Sequence, residues 1–250
     1  LIPPVGKNKL SKFADMDSFR NVVQVPFREL QHHDHPLKGS WNQNFFRNNG
    51  PIVLELGCGK GEYTTGLATL FPEMNFIGID IKGARIWKGA KYALEKGLEN
   101  VAFLRTHIEM IGQFFAEKEI SEIWLTFPDP QMKKTRKRLT STRFIEYYRT
   151  FLRPGGLIHL KTDSRFQFRY TLEVIQKNSF ELISACEDVY ARAERDERLQ
   201  IQTFYEKQWL ARGISIKYLC FIPHSEPLQE PDVAIEPDPY RSFGRGALPQ

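Results

Sequence analysis

Between Pro51 and Cys186 the chain alternates two apolar patterns. Short unbroken runs, "PIVLEL", "NFIGID", "VAFLRT", "EIWLTF" and "GGLIHLKT", have the length and composition of strands buried on both faces. Between them lie "EYTTGLATLF", "GARIWKGAKYALEKG", "IEMIGQFFAEK", "STRFIEYYRTFL" and "RFQFRYTLEVIQK", with the apolar spacing of helices that bury one stripe. Alternation of this kind predicts βαβ units with right-handed crossovers. The result is an α/β fold, a mostly parallel doubly wound sheet that takes its ligands at the carboxyl ends of the strands. "FELISAC", a helix near Thr203–Arg212 and "SIKYLCFI" complete it, the last as an antiparallel C-terminal strand.

The flanks read differently. Residues 1–50 form an irregular N-terminal extension with one short helix near Trp41–Phe46; residues 51–222 form the main domain; residues 223–250 are an acidic, Pro-rich tail, read as flexible or loosely attached. His32, His33 and His35 lie between polar residues and Pro36 without a partner motif, so a polar loop is expected there rather than a metal site. No internal repeat is apparent.

Charge sharpens this picture. The net charge is +5, but five acids against two bases from Pro223 onward leave +8 on the first 222 residues. A basic body suits an anionic partner, nucleic acid before membrane, because no basic amphipathic helix stands out. No run of 18 apolar residues and no secretory leader pattern is present. Cys58, Cys186 and Cys220 are far apart, with no zinc or disulfide spacing. We therefore expect a soluble, cytoplasmic protein without a metal, whose oligomeric state the sequence leaves open.

Candidate chemistry starts at "ELGCGKG", Glu55–Gly61, between the first strand and the first helix. Glycines here let backbone approach a ligand beside a helix N-terminus. The spacing is G-x-G-x-G, and Glu62 stands where the dinucleotide fingerprint needs its last glycine. An acid there repels a pyrophosphate, which disfavours a nicotinamide oxidoreductase. Asp80 ends the second strand, placed to accept hydrogen bonds from both hydroxyls of a ribose. Glu55, an acid inside an apolar strand, calls for a cationic partner. S-adenosyl-L-methionine supplies ribose, ammonium and sulfonium with no phosphate.

The fourth strand runs into "FPDPQMKKTRKRL". Two prolines fix φ on either side of Asp129 at the ligand edge. Lys133, Lys134, Arg136, Lys137 and Arg138 follow, and Arg143 extends the patch; no acid falls between Gln131 and Phe144. Such a block holds phosphates without reading sequence. The acidic corner would address one base and the basic block the strand that carries it.

In these residues the chain resembles the bacterial tRNA (guanine-N7-)-methyltransferase family, the TrmB type. The resemblance is carried by "VLELGCGKGEYT", "FIGIDIKG", "FPDPQMKKTRKRL", "LKTD" and "TFYE", and covers roughly residues 7–221 in order. It implies a Rossmann-like class I S-adenosylmethionine-dependent methyltransferase that acts on N7 of a tRNA variable-loop guanine, position 46. It implies cofactor roles for Glu55, Gly57, Gly59, Gly61 and Asp80, with Asp129 as the cofactor-proximal catalytic acid. Lys133, Asp163 and the segment Thr203, Phe204, Tyr205, Glu206 become substrate contacts. Lys134, Arg136, Lys137 and Arg138 become RNA contacts.

Departures remain. Gln131 stands where the family usually has Trp, the basic run lacks the family's histidines, and an expected acid after the third strand is replaced by "RTHIE". Thr106 or His107 takes the adenine contact there. Thr203–Glu206 also fits a capping box, a role compatible with substrate contact. Two other classes stay in view. An exocyclic-amine methyltransferase would need a second proline and an aromatic after Asp129, where this chain has Pro130, Gln131 and Met132. A non-enzymatic RNA-binding protein would not need the intact glycine loop and its acids.

Overall fold

The computed structural model describes residues 7–30, 33–191, 196–224 and 227–241. Its frame is an eight-stranded sheet: β1 (Val22–Gln24), β2 (Ile52–Leu56), β3 (Asn75–Ile79), β4 (Val101–Arg105), β5 (Ile120–Thr126), β6 (Leu152–Thr162), β7 (Glu181–Cys186) and β8 (Lys217–Ile222). The spatial order is β1-β4-β3-β2-β5-β6-β8-β7. Pairing is parallel from β1 to β6, and β8 runs antiparallel between β6 and β7. The expected mostly parallel sheet with an antiparallel last strand is what forms.

The helices are α1 (Lys7–Ser18), α2 (Phe27–Leu30), α3 (Glu62–Leu70), α4 (Gly83–Glu95), α5 (Thr142–Arg149), α6 (Arg165–Lys177), α7 (Glu197–Gln200) and α8 (Phe204–Leu210). Because successive strand residues face opposite sides, Leu54 and Leu56 join one apolar layer while Val53 joins the other. "IEMIGQFFAEK" yields only a 3₁₀ segment, Ile108–Gln113. Phe114 and Phe115 then turn fully into the core, which a continued surface helix would prevent.

The N-terminal residues differ from the expectation of an appended extension. Their strand β1 pairs with β4 at the sheet edge, and the Asn21 carbonyl accepts from Phe103 N at 2.7 Å. Asp15 accepts from the Trp87 indole at 2.9 Å, fastening α1 to α4. The expected short helix appears as a π-helical turn, Trp41–Phe46, whose buried Trp41 donates to the Phe114 carbonyl at 2.8 Å. His35 stacks on Phe114 at 4.9 Å between centroids; His32 lies outside the described residues.

The tail also departs from a loose attachment. Residues 227–241 run along α5 and α6, and two of their acids cap helix starts. Glu230 accepts from Thr142 N (3.3 Å) and Thr142 Oγ1 (2.7 Å) at the start of α5. Asp238, 2 % exposed, accepts from Ser164 Oγ and from Phe166 N (3.0 Å) at the start of α6. Carboxylates at helix N-termini satisfy orphan N–H groups and oppose the helix dipole favourably, which gives the acidic composition a structural use.

Candidate active site at the carboxyl ends of the strands

The glycine loop leaves β2 with Gly57, Gly59 and Gly61 all at positive φ (81°, 56° and 69°). Their surroundings divide them. A Cβ on Gly57 would meet nothing within 4 Å, whereas one on Gly61 would lie 2.5 Å from the Phe103 ring. The first faces open space in which a ligand can reach backbone; the last lets the start of α3 pack closely. Gly57 N and Cys58 N both donate to the Ile79 carbonyl, tying the loop to the end of β3. Cys58 is buried, and that burial pushes its thiol pKa well up, as suits a packed residue.

Asp80 leaves β3 beside this loop. One carboxylate oxygen accepts from Gly59 N at 3.0 Å and the other from Lys82 N at 2.8 Å. Glu55 is enclosed instead. It accepts from Thr126 Oγ1 (2.5 Å), Thr64 N (2.8 Å) and Thr64 Oγ1, linking β2, β5 and the first turn of α3. Burial raises its pKa to about 7 against the opposing pull of those hydrogen bonds. Its cationic partner, expected from the strand pattern, is replaced here by the chain's own donors.

Beyond Asp80 a cavity of about 410 Å³ opens at the edge of the sheet. Thr106, His107 and Ile81 line one side, and Asp17, Gln24 and Pro26 the other. Both "RTHIE" candidates therefore border it. The contribution of Asp17, Gln24 and Pro26 was not legible in the sequence, because it depends on β1 joining the sheet.

The proline corner follows β5. Phe127 and Gln131, neither of them glycine, have φ of 51° and 46°, so the corner is bracketed by two left-handed residues. Such conformations persist only where neighbours enforce them and recur at functional sites. Phe127 N donates to the Lys161 carbonyl (2.8 Å), Pro128 and Pro130 are buried, and Asp129 between them is exposed, accepting from Gln131 N at 3.1 Å.

The basic run splits. Lys133, Lys134, Arg136 and Lys137 are exposed, as is Arg143. Arg138 is 7 % exposed and corrects its assignment as an RNA contact. Its guanidinium donates to the carbonyls of Gln131 (3.3 Å) and Met132 (2.9 Å) and packs over Phe166 and Tyr170. That arginine holds the corner in shape.

Two of the expected substrate contacts are enclosed by partners from the chain itself. Asp163 is wholly buried, paired with Arg241 of the tail and accepting from Tyr240. Glu206 is wholly buried as well, 2.8 Å from Lys161 and accepting from Tyr190 at 2.6 Å. The capping box is present, with Glu206 N donating to Thr203 Oγ1 and Thr203 N to the Glu206 carboxylate. Phe204 and Tyr205 remain exposed. Lys60 lies over the Phe204 ring, and Glu62 accepts from Phe204 N at 2.8 Å. Among the described residues no cluster of three or more His, Cys, Asp or Glu is arranged to hold a metal ion.

A family model described as a putative methyltransferase matches residues 49–219. The tRNA (guanine-N(7)-)-methyltransferase of Bacteroides thetaiotaomicron is 57% identical over 242 residues, 96% of each chain. That of Porphyromonas gingivalis is 54% identical, covering 94% of this chain and 98% of its own. Among solved structures, the 16S rRNA methyltransferase KamB superposes with a TM-score of 0.58 at 14% identity, over 76% of this chain and 96% of its own. At that identity the likeness is one of fold, that of the class I methyltransferases. With the glycine loop, the Asp80 terminus and the proline corner assembled at one sheet edge, the chain belongs to the tRNA (guanine-N(7)-)-methyltransferase family.

Proposed function

We propose that this chain transfers a methyl group from S-adenosylmethionine to N7 of a guanine in tRNA, the variable-loop guanine at position 46. The observation that carries the reading is the exposed Asp129, held between two left-handed residues beside a glycine loop with open space at Gly57. Near-full-length relatives that bear the name tRNA (guanine-N(7)-)-methyltransferase support it.

The residues present fit the cofactor. Asp80 would accept from the ribose hydroxyls, the Gly57–Gly59 backbone would lie against the methionine part, and Thr106 and His107 would border the adenine in the cavity beyond. Bound there, S-adenosylmethionine supplies a sulfonium-activated methyl group. Glu55 acts through the loop it fastens.

Guanine N7 is a neutral nitrogen with a free lone pair and no proton, so no general base is needed to expose it. The demands on the protein are in-line placement and relief of the positive charge that develops on the purine. Asp129 meets the second as an exposed carboxylate in a fixed corner, free to accept from guanine N–H groups. Lys133, Lys134, Arg136 and Lys137 would hold phosphates and set the strand's position. An exocyclic-amine methyltransferase fits less well, because Pro130, Gln131 and Met132 offer neither a second proline nor a stacking ring after Asp129. The described residues include no helix long and apolar enough to cross a membrane, and we place the reaction in the cytoplasm, where its tRNA substrate is.

The test is methyl transfer from labelled S-adenosylmethionine to unmodified tRNA, with the product nucleoside identified by mass spectrometry and aniline-type strand cleavage. N7-methylguanosine confined to the variable loop is the expected product. A different methylated base would remove the role given to Asp129.

A further inference from the structure

Asp163 leaves the carboxyl end of β6, next to the strand that leads to Asp129, since Thr126 of β5 pairs with Lys161 of β6. Its carboxylate is filled by the chain itself. Arg241 Nη2 donates to Oδ1 at 2.6 Å and Nε donates to Oδ2 at 3.2 Å, while Tyr240 OH donates to Oδ2 at 3.1 Å and to the Asp163 carbonyl at 2.8 Å. The guanidinium lies 5.1 Å from the centroid of the half-buried Trp209 ring, and Tyr240 meets the same ring at 5.5 Å.

A flat group with two parallel N–H donors thus sits on a carboxylate beside an indole. The Watson–Crick edge of guanine has the same pattern, N1–H next to the exocyclic amine on a flat ring. A carboxylate accepts either pair bidentately, and an aromatic side chain stacks on either plane. The tail has further anchors at Glu230 on α5 and at Asp238 on α6; Asp238 also lies 4.0 Å from Arg241 Nε, and its bonds to Ser164 and Phe166 can hold the segment while residues 240–241 leave. The family model ends at residue 219, short of this segment.

We propose that Arg241 occupies, in the free protein, the place against Asp163 and Trp209 that the substrate guanine takes, as a stand-in for the base. Guanine entry then requires Arg241 to withdraw, and the apparent affinity for tRNA is reduced by the fraction of molecules in which the subsite is closed. This proposal rests on the reading of the chain as a guanine methyltransferase with Asp163 among its substrate contacts.

The full chain is compared with Arg241→Ala and Trp209→Leu in steady-state methylation of unmodified tRNA. Arg241→Ala is expected to lower KM for tRNA about three- to tenfold, with kcat and the Kd for S-adenosylmethionine within twofold. Trp209→Leu is expected to raise KM for tRNA about tenfold. An unchanged or raised KM in Arg241→Ala overturns the proposal, unless that variant has lost its fold by circular dichroism. A measurement on the unaltered protein covers that case. Hydrogen exchange of residues 236–241 is followed with S-adenosylhomocysteine and either guanine-bearing tRNA or the same tRNA with adenine at the methylated position. Faster exchange with the guanine form alone supports displacement; equal exchange with both overturns it. Methyl transfer by the unaltered chain runs in parallel, so that N7-methylguanosine formed with the segment unmoved sinks the latch and spares the reaction, while no N7-methylguanosine sinks the reading beneath it.

Discussion

The ammonium of Lys161 lies 2.8 Å from the carboxylate of Glu206, and neither side chain reaches solvent. The same ammonium donates to the carbonyls of Leu199 (2.8 Å) and Ile201 (2.9 Å), while the main-chain carbonyl of Lys161 accepts from Phe127 N. One residue of β6 therefore holds both the proline corner and the segment that presents Phe204 and Tyr205.

Lys161→Met should cost about 3–5 kcal/mol, because it leaves a buried carboxylate unpaired. Adding Glu206→Gln removes that charge and should recover more than half of the loss. The carbonyls of Leu199 and Ile201 still lack their donor, so KM for tRNA should stay raised in the double variant. Urea unfolding and steady-state kinetics separate the two effects. Recovery of KM together with stability would show that Lys161 acts on the fold alone.

Asp129→Asn should act in the opposite way. The side chain is exposed, so stability should change by less than about 0.5 kcal/mol. On the proposed mechanism, loss of the carboxylate that meets the developing charge should lower kcat by about 10²–10³. Binding of S-adenosylmethionine, read by calorimetry, should stay within a few-fold. Near-normal turnover would take Asp129 out of the mechanism.

The central strands, the glycine loop and the proline corner were legible because each is written in contiguous residues. β1 was not, since three half-buried residues, Val22–Gln24, carry too little pattern to mark a strand. The tail misled for a different reason. Pro and acid are the composition of a loose segment, but Glu230 and Asp238 find helix starts 88 and 74 residues away in sequence. Asp163 and Glu206 were visible as acids near a site; that Arg241 and Lys161 had already claimed them was not. Within the basic run the five charges look alike, and only packing sets Arg138 apart.

That separation can be measured. Arg136→Ala and Lys137→Ala should leave the melting temperature unchanged. On the proposed RNA interface each removes one phosphate-binding cation, and should reduce the log Kd–log salt slope by about 0.7–0.9. Arg138→Ala removes donors to two loop carbonyls and a cation stacked on two rings. It should cost about 2 kcal/mol and lower activity through the corner it holds. If Arg138→Ala changed only the salt slope, its placement as a structural residue would be wrong.

The glycine loop offers a matched pair. Gly61→Ala forces a methyl group to within 2.5 Å of the Phe103 ring, so several kcal/mol of stability should go and the cofactor site with it. Gly57→Ala meets no atom within 4 Å and bears only the left-handed backbone cost, about 1 kcal/mol. On the proposed placement of the cofactor, its added methyl group would stand where the ligand lies. Gly57→Ala should therefore fold, by thermal melting, and bind S-adenosylmethionine at least tenfold more weakly. Normal binding would move the cofactor away from this loop.

Glu55 connects the loop to pH. Its pKa in the fold is about 7 against an ordinary 4.5, so between those values the folded chain keeps a proton that the unfolded chain has released. Stability then falls as pH rises through that window, by at most about 3 kcal/mol, and stays at the lower level above it. Glu55→Gln has no charge to bury and offers the same shape to Thr64 and Thr126. Near pH 4 the variant and the parent should have equal urea midpoints, with the variant pulling ahead as pH approaches 8. A gap of constant size across pH 4–8 would mean that Glu55 keeps the same charge state in the folded and unfolded chain. The three donors from Thr64 and Thr126 would then hold the ionised carboxylate as well as water does, and the loop would carry a permanent negative charge beneath the cofactor.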